Sequence, residues 1–458
     1  MPTKQAYRPD PRILELGAEF YDAVTAARFP QAIPRFLNRR WAEQVGLGET
    51  DWEAHFHRFE PLPDNLPEPL ALRYHGHQFR SYNPEIGDGR GFLFAQLRGP
   101  DTRLLDLATK GSGQTPYSRF GDGRLTLKGA VREVLATEML EALGVNTSKT
   151  FAVFETGEAL TRNDEPSPTR GAVLTRLSHG HIRIGTFQRL AFFQETENLA
   201  KLTRYCLQHL YGEQPAGDDA ENAARLLDLV CSATARLAAT YMAAGFVHGV
   251  LNSDNIAISG ESFDYGPWRF TPYWDPEFTA AYFDQTGLYA FARQPEAIQW
   301  DVAQFAGCLT FLSEAAPLSD LLQGWGERFH TALVAALLRR LGISPRGADE
   351  DRALARTMVA ALATKAVTID RFFFDWRGGV VPAIETYATE PFHSLAAALD
   401  GRADPAARTH SYWQGEEPCS MHIEEVEAIW APIAETDDWT RFETKLTAIR
   451  TMGEAHTA

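Results

Sequence analysis

Cysteine and surplus positive charge are both scarce in this chain of 458 residues. Its 4 cysteines, Cys206, Cys231, Cys308 and Cys419, stand far apart, with no CxxC pair and no Cys/His cluster at zinc-ligand spacing. That excludes a disulfide framework and makes a reducing, cytoplasmic compartment with buried apolar thiols the expectation. Lys and Arg number 44 against 60 Asp and Glu, a net charge of -16, so no broad basic face is expected to hold nucleic acid or an anionic membrane. Any anion must be met by a local basic pocket. No stretch reaches the ~18 apolar residues of a membrane span. The opening MPTKQAYRPDPR lacks the apolar core of a signal peptide, so none is expected. Repeats and low-complexity tracts are absent apart from a recurring GDGR, at 87–90 and 121–124.

Hydrophobic residues make up 44% and charged residues 23%, the balance of a globular protein. Residues 1 to about 70 read as short helical pieces between proline-rich connections and carry no chemistry. Beyond them, glycines and polar residues lead into an apolar strand, Phe92 to Leu97. The first GDGR precedes that strand and predicts a tight turn, which can bring backbone N–H groups and Arg90 to phosphate oxygens. Lys110 ends the next apolar run, ahead of a loop bearing Gly111, Gly113, Gly121 and Gly123. The lysine precedes the glycines and no GK[ST] closes the loop, which excludes a Walker A motif.

Residues 125–143 predict a helix whose apolar face is Val131, Val134, Leu135 and Met139, with Glu133 also on it. A strand, a turn and a loop are expected over 151–169. Arg176 and Arg183 follow, with His179 and His181 between them, and a separation of seven residues does not say whether the two arginines converge. The HxH pairs at 75/77 and 179/181 invite a zinc reading, but no further ligands complete a site. From Phe187 the chain reads as mostly helical. A long helix over 221–246 stops at Gly245 and leads into FVHGVLNSDNIAISGESFDYGP, residues 246–267. A helix near 297–315 carries Asp301, either a loop-binding carboxylate or a cap or surface residue. RFFFDW at 371–376 reads as core, and the acidic stretch at 418–430 as a solvated edge.

The order of these parts is more specific than any one of them. A glycine-rich turn, a strand lysine, a helix glutamate, a long helix, an HG loop, an asparagine and an aspartate succeed one another as they do in protein kinases. Asn255 stands seven residues after His248, and Asp264 lies nine further on, within DYG. Asn and Asp are hard oxygen ligands for the metal of a nucleoside triphosphate, and Lys110 is a cation for its phosphates. One part is missing. Two residues after the histidine, where an HGD-type phosphotransferase carries its catalytic Asp, this chain has Val250.

RYHGHQF, IGDGRG, LATKGSGQTPYSRFGDGR, VREVL, TRLSHGHIRIGTF and HGVLNSDNIAISGESFDYGP resemble the selenoprotein-O family, the SelO or YdiU group of pseudokinases, over about residues 20 to 310. The resemblance implies an α+β, two-lobed protein-kinase-like fold, divided as 1–186 and 187–458. It implies protein adenylylation: AMP passes from ATP to Ser, Thr or Tyr hydroxyls of acceptor proteins and pyrophosphate leaves, with UMP from UTP and Mn2+ in some members. By the same resemblance Gly87, Gly89 and Arg90 contact nucleotide, Lys110 binds phosphate while pairing with Glu133, and Asp122 and Gly123 line the pocket. Arg176 and Arg183 hold the terminal phosphates, Asn255 and Asp264 ligate Mg2+ or Mn2+, and Asp254 is the base. Neither a nucleic acid nor a membrane is an expected partner, and a monomer is the default state. Two departures stand out. No terminal selenocysteine or cysteine is present, the family pattern fading after about residue 390, and Arg80 replaces the glycine of HQFG. The rival readings are a kinase using the γ-phosphate with Asp254 as base, which Val250 opposes, and an inactive nucleotide-binding scaffold, which Lys110, Asn255 and Asp264 oppose.

Overall fold

The computed structural model describes residues 6–457, an α+β chain whose first part builds an antiparallel sheet and whose remainder is mainly helical. Short strands β1 (Tyr21–Ala23) and β2 (Ile33–Leu37) precede helices α1 (Arg39–Gln44) and α2 (Trp52–Phe56). Strand β3 (Leu70–Leu72) and the hairpin β4 (Gly76–Gln78) and β5 (Ser81–Asn83) follow, then β6 (Leu93–Arg98), β7 (Leu104–Lys110) and β8 (Leu125–Thr126). Helix α3 (Leu127–Ala142) and strands β9 (Lys149–Leu160) and β10 (Thr169–Ser178) complete this part. The sheet runs β1-β3-β6-β7-β10-β9-β2, with β8 paired to β10. β6, β7 and β10 are buried along most of their length because both their faces are covered. On one side lie α3 and the main core; on the other, an aromatic cluster joins Trp52, Phe56 and Phe59 to Phe92, Phe94 and Phe151.

The reading of residues 1–70 as short helical pieces holds for α1 and α2 but misses β1 and β2, the two edge strands of this sheet, and β3, which pairs β1 with β6. At three to five residues they are too short to show a period, and Pro34 within β2 disguises it further.

Helix α3 is buried almost all round, and the Thr126 side chain caps it by accepting from Gly129 N at 3.1 Å. After α4 (Ile184–Phe192) and α5 (Thr196–Tyr205), helix α6 (Asp219–Ala244) runs from its Asp218 cap to Gly245, whose φ of 69° ends it in the left-handed conformation. It delivers the chain to β11 (Phe246–Val247), paired with β12 (Arg269–Phe270) across the loop of interest. Helices α7 (Gln294–Leu309), α8 (Ala315–Gln323), α9 (Trp325–Leu341), α10 (Ala348–Ala363), α11 (Ile369–Asp375) and α12 (Phe392–Ala398) pack around α6 and one another. RFFFDW is core, as expected, with Phe372, Phe373 and Trp376 buried.

The 418–430 stretch is not a solvated edge. Met421, Val426 and Ile429 are buried where α13 (Ile423–Thr436) packs on α3, and α14 (Thr440–Thr457) packs there too. Acidic residues occupy the outer side of α13 and mask its apolar stripe. Among the described residues no helix is long and apolar enough to cross a membrane.

Candidate active site

A cleft of about 730 Å³ opens where the first GDGR turn, the end of β7, the 117–124 loop and the 250–267 segment meet. Gly87, Gly89, Arg90, Lys110, Asp122, Gly123, Arg176, Asp254, Asn255 and Asp264, far apart in the chain, all line it, and so does Val250. Glycine is needed at the turn: a Cβ on Gly87 would lie 2.5 Å from the Tyr117 ring. Gly123 has φ 70° and packs directly on the Gly113 backbone.

The charges are tightly paired. Lys110 Nζ lies 2.6 Å from Glu133 Oε2 and 3.1 Å from Asp264 Oδ1, and Arg176 Nη1 lies 3.2 Å from that same Asp264 oxygen. Burial alone would raise the Asp264 carboxyl, but Lys110, Arg176, Arg183 and Arg90 hold it well below the usual carboxylate range. Asp264 therefore stays ionised, with a left-handed φ of 66° that its place in the loop imposes. Glu133 does not line the cleft; it braces Lys110 from behind, on a fully buried stretch of α3.

Asp254 sits on the short turn Ser253–Asn255, buried, with Oδ1 lacking a hydrogen-bond partner among the described residues. Burial pushes its pKa up to about 6. The residue lines the cleft, and a buried carboxylate with an unpartnered oxygen is a candidate to accept a proton. Beside it, Asn255 Nδ2 donates to Val250 O at 3.0 Å, which leaves Oδ1 as the amide atom for the cleft.

Arg183 stands behind the cleft lining. It does not line the cleft and is 1% exposed. Its Nη1 donates to Asp254 O at 2.9 Å, its Nη2 lies 3.4 Å from Asp88 Oδ1, and its guanidinium covers the Tyr74 ring at 4.1 Å. Here it is a post beneath the Asp254 turn, and its guanidinium shares the Phe263 ring with that of Arg176, 5.0 and 5.2 Å from the ring centroid. Asp122 reaches the cleft mouth with its carboxylate already taken by Arg162, at 2.8 and 3.1 Å. Asp301 is neither cap nor surface: it is buried, has an unpartnered Oδ2 and makes no hydrogen bond to the Asp254 loop among the described residues. Burial and the neighbouring Asp254 charge raise it well above the usual range.

The histidine pairs are engaged elsewhere, His75 with Tyr82 at 2.8 Å and His77 with Gln188 at 2.7 Å. No cluster of three or more His, Cys, Asp or Glu able to hold a metal occurs among the described residues. Sequence reasoning missed Asp88, although it is the acid of the first GDGR, and missed Asp106, which no motif marks.

Comparison with known proteins extends this picture. The profile described as "Protein adenylyltransferase SelO" matches residues 4–450. A protein of Trichormus variabilis described as "Protein nucleotidyltransferase YdiU" is 38% identical over 97% of this chain and 96% of its own length. Proteins of the same description from Gloeobacter violaceus and Synechocystis are 41% and 45% identical, over 94% and 73% of this chain and 93% and 71% of theirs. The match runs well past residue 390, where the family pattern was expected to fade.

Proposed function

The chain belongs to the SelO family and is a protein nucleotidyltransferase, and on that footing we propose that it transfers AMP from ATP to Ser, Thr or Tyr hydroxyls of acceptor proteins. The observation that carries this reading is the cleft itself. Arg90, Lys110 and Arg176 converge there beside a glycine turn, the kinase-type aspartate position holds Val250, and the free carboxylate oxygen belongs to Asp254 instead. A base moved from 250 to 254 suits attack on a different phosphorus of the same triphosphate.

In this reading the turn at Gly87 and Gly89 receives phosphate oxygens through its N–H groups, with Arg90, Lys110 and Arg176 neutralising charge. Asp122 and Gly123 wall the mouth. Arg183 supports the Asp254 turn, and its proposed contact with the terminal phosphate requires the guanidinium to leave Asp88. Asp254 takes the proton of the acceptor hydroxyl as its oxygen bonds to the α-phosphorus, and the bond from that phosphorus to the pyrophosphate oxygen breaks. The donor set of Asp264 and Asn255 Oδ1 is hard oxygen and fits Mg2+ or Mn2+. Bound there, such a cation would neutralise charge on the nucleotide phosphates. UMP transfer from UTP with Mn2+ falls within the same reading, as do a two-lobed arrangement divided near residue 186 and a cytoplasmic location. The 4 cysteines, all free and buried, suit that location.

ATP labelled at the α- or the γ-phosphate, incubated with enzyme, divalent cation and acceptor protein, tests the proposal. Protein-bound label from the α position alone is expected; label from the γ position would make it a kinase, and no label from either would leave a scaffold.

A further inference from the structure

Arg176 enters the cleft from β10, yet its Nε faces away from it and donates to His181 Nε2 at 3.1 Å. Arginine has N–H donors and no acceptor, so that ring nitrogen must carry a lone pair. The proton of a neutral His181 then sits on Nδ1, which faces Asp106 Oδ2 at 3.2 Å. The same oxygen accepts the His181 backbone N–H at 2.8 Å, and Asp106 Oδ1 accepts from Gln96 Nε2 at 2.7 Å. Asp106, His181 and Arg176 are all buried. Burial lowers the His181 pKa, which favours the neutral ring this donor pattern needs.

Strand register builds the arrangement. Arg176 stands opposite Ala108 and Ser178 opposite Asp106, so Asp106, Lys110 and Arg176 project from one face of the sheet. The HGH turn, with Gly180 at φ 84°, then folds His181 back over that face. The histidine pair that resembled part of a zinc site thus supplies one ring to hold an arginine.

We propose that Asp106 and His181 are positioning residues for nucleotidyl transfer, locking the Arg176 guanidinium through its Nε so that its Nη groups point at Asp264 and the nucleotide phosphates. This rests on the reading of Arg176 as a phosphate ligand. A side chain held at one end loses the rotamers that would swing it out of the cleft, the usual service of a second shell.

The test compares His181→Leu, His181→Gln, Arg176→Ala and the double variant Arg176→Ala/His181→Leu, reading KM for ATP, kcat for transfer from α-labelled ATP, and melting temperature. Arg176→Ala should lower kcat/KM, and His181→Leu should lower it by about 10- to 100-fold, chiefly through KM. His181→Gln offers an amide oxygen to Arg176 and an amide N–H to Asp106, so it should recover most of the loss. In the Arg176→Ala background, His181→Leu should cost nothing further. An undiminished loss in that background, or a Gln variant no better than Leu, overturns the positioning role. If Arg176→Ala itself leaves kcat/KM unchanged, the phosphate-ligand reading is wrong and the proposal falls with it, a result distinct from failure of the positioning alone. Should His181→Leu not fold, Asp106→Asn enters the same cycle with Arg176→Ala, and additive losses there overturn the proposal equally.

Discussion

At Asp264 one carboxylate oxygen meets both Lys110 and Arg176, and its charge is held by cations rather than by hydrogen bonds to the backbone. If Asp264 ligates the metal as proposed, Asp264→Ala should abolish transfer, and it should leave Glu133 as the one carboxylate between Lys110 and Arg176. A near-normal rate in that variant, with Mg2+ or Mn2+ supplied, would remove Asp264 from the site. Asp254→Asn should lower kcat by about 10²-fold or more, the scale of a lost general base, while ATP binding measured by calorimetry persists. Loss of binding would instead make Asp254 structural. Outside the cleft, Glu261 accepts the His179 backbone N–H at 2.7 Å, and burial raises its pKa to about 7 against the pull of Lys149. Its folded pKa lies above the unfolded value of ~4.3. The native state thus binds the extra proton, and stability falls as pH rises from about 4.3 through about 7. Glu261→Gln keeps the acceptor and removes the charge, so its melting temperature relative to the parent should climb between pH 5 and pH 7.5; a constant difference would contradict the assigned ionisation. The spacing of Lys110, Asn255 and Asp264 along the chain marked residues that line the cleft, with Glu133 behind Lys110. The place of Arg183 beneath the Asp254 turn was not legible, because a side chain's direction after a turn is not written in sequence separation.

Among the elements, α3 does the most to place the site, carrying Glu133 on a helix buried nearly all round. The expected apolar face of Val131, Val134, Leu135 and Met139 is present, but the helix has no dry and wet side to distinguish, since the sheet, α13 and α14 cover it together. Leu135→Ala should cost about 2–5 kcal/mol, as deletions of buried leucine do. Thermal or urea unfolding measures that loss, and kcat per folded molecule should change little because Lys110 and Glu133 keep their contact. Strands β6 and β7 were readable as short apolar runs. Strands β1, β2 and β3 were not, because a three- to five-residue strand takes its identity from its partner.

On the scale of the whole chain, the last two helices close the structure back onto its beginning. Arg450 Nε bonds Glu138 Oε2 of α3 at 2.8 Å, Lys128 meets Glu427 at 2.8 Å, and Arg170 of β10 meets Asp437 at 2.7 Å. Beneath these ion pairs lie Phe442, Ile449 and Met452, all buried. Removing residues 423–457 would bare one side of α3, so the truncated protein should lose its cooperative unfolding transition and bind an apolar dye. A truncated form with a sharp, near-parental melting transition would show that the tail is dispensable. Composition and motif order were enough to expect free cysteines, to point to the family and to pick out residues that line the cleft, because those properties belong to residue types and their succession. Which arginine faces the cleft, which histidine orients it, and that the acidic tail is core emerged only on folding. Each depends on which buried surfaces meet across hundreds of residues, and no local period carries that information.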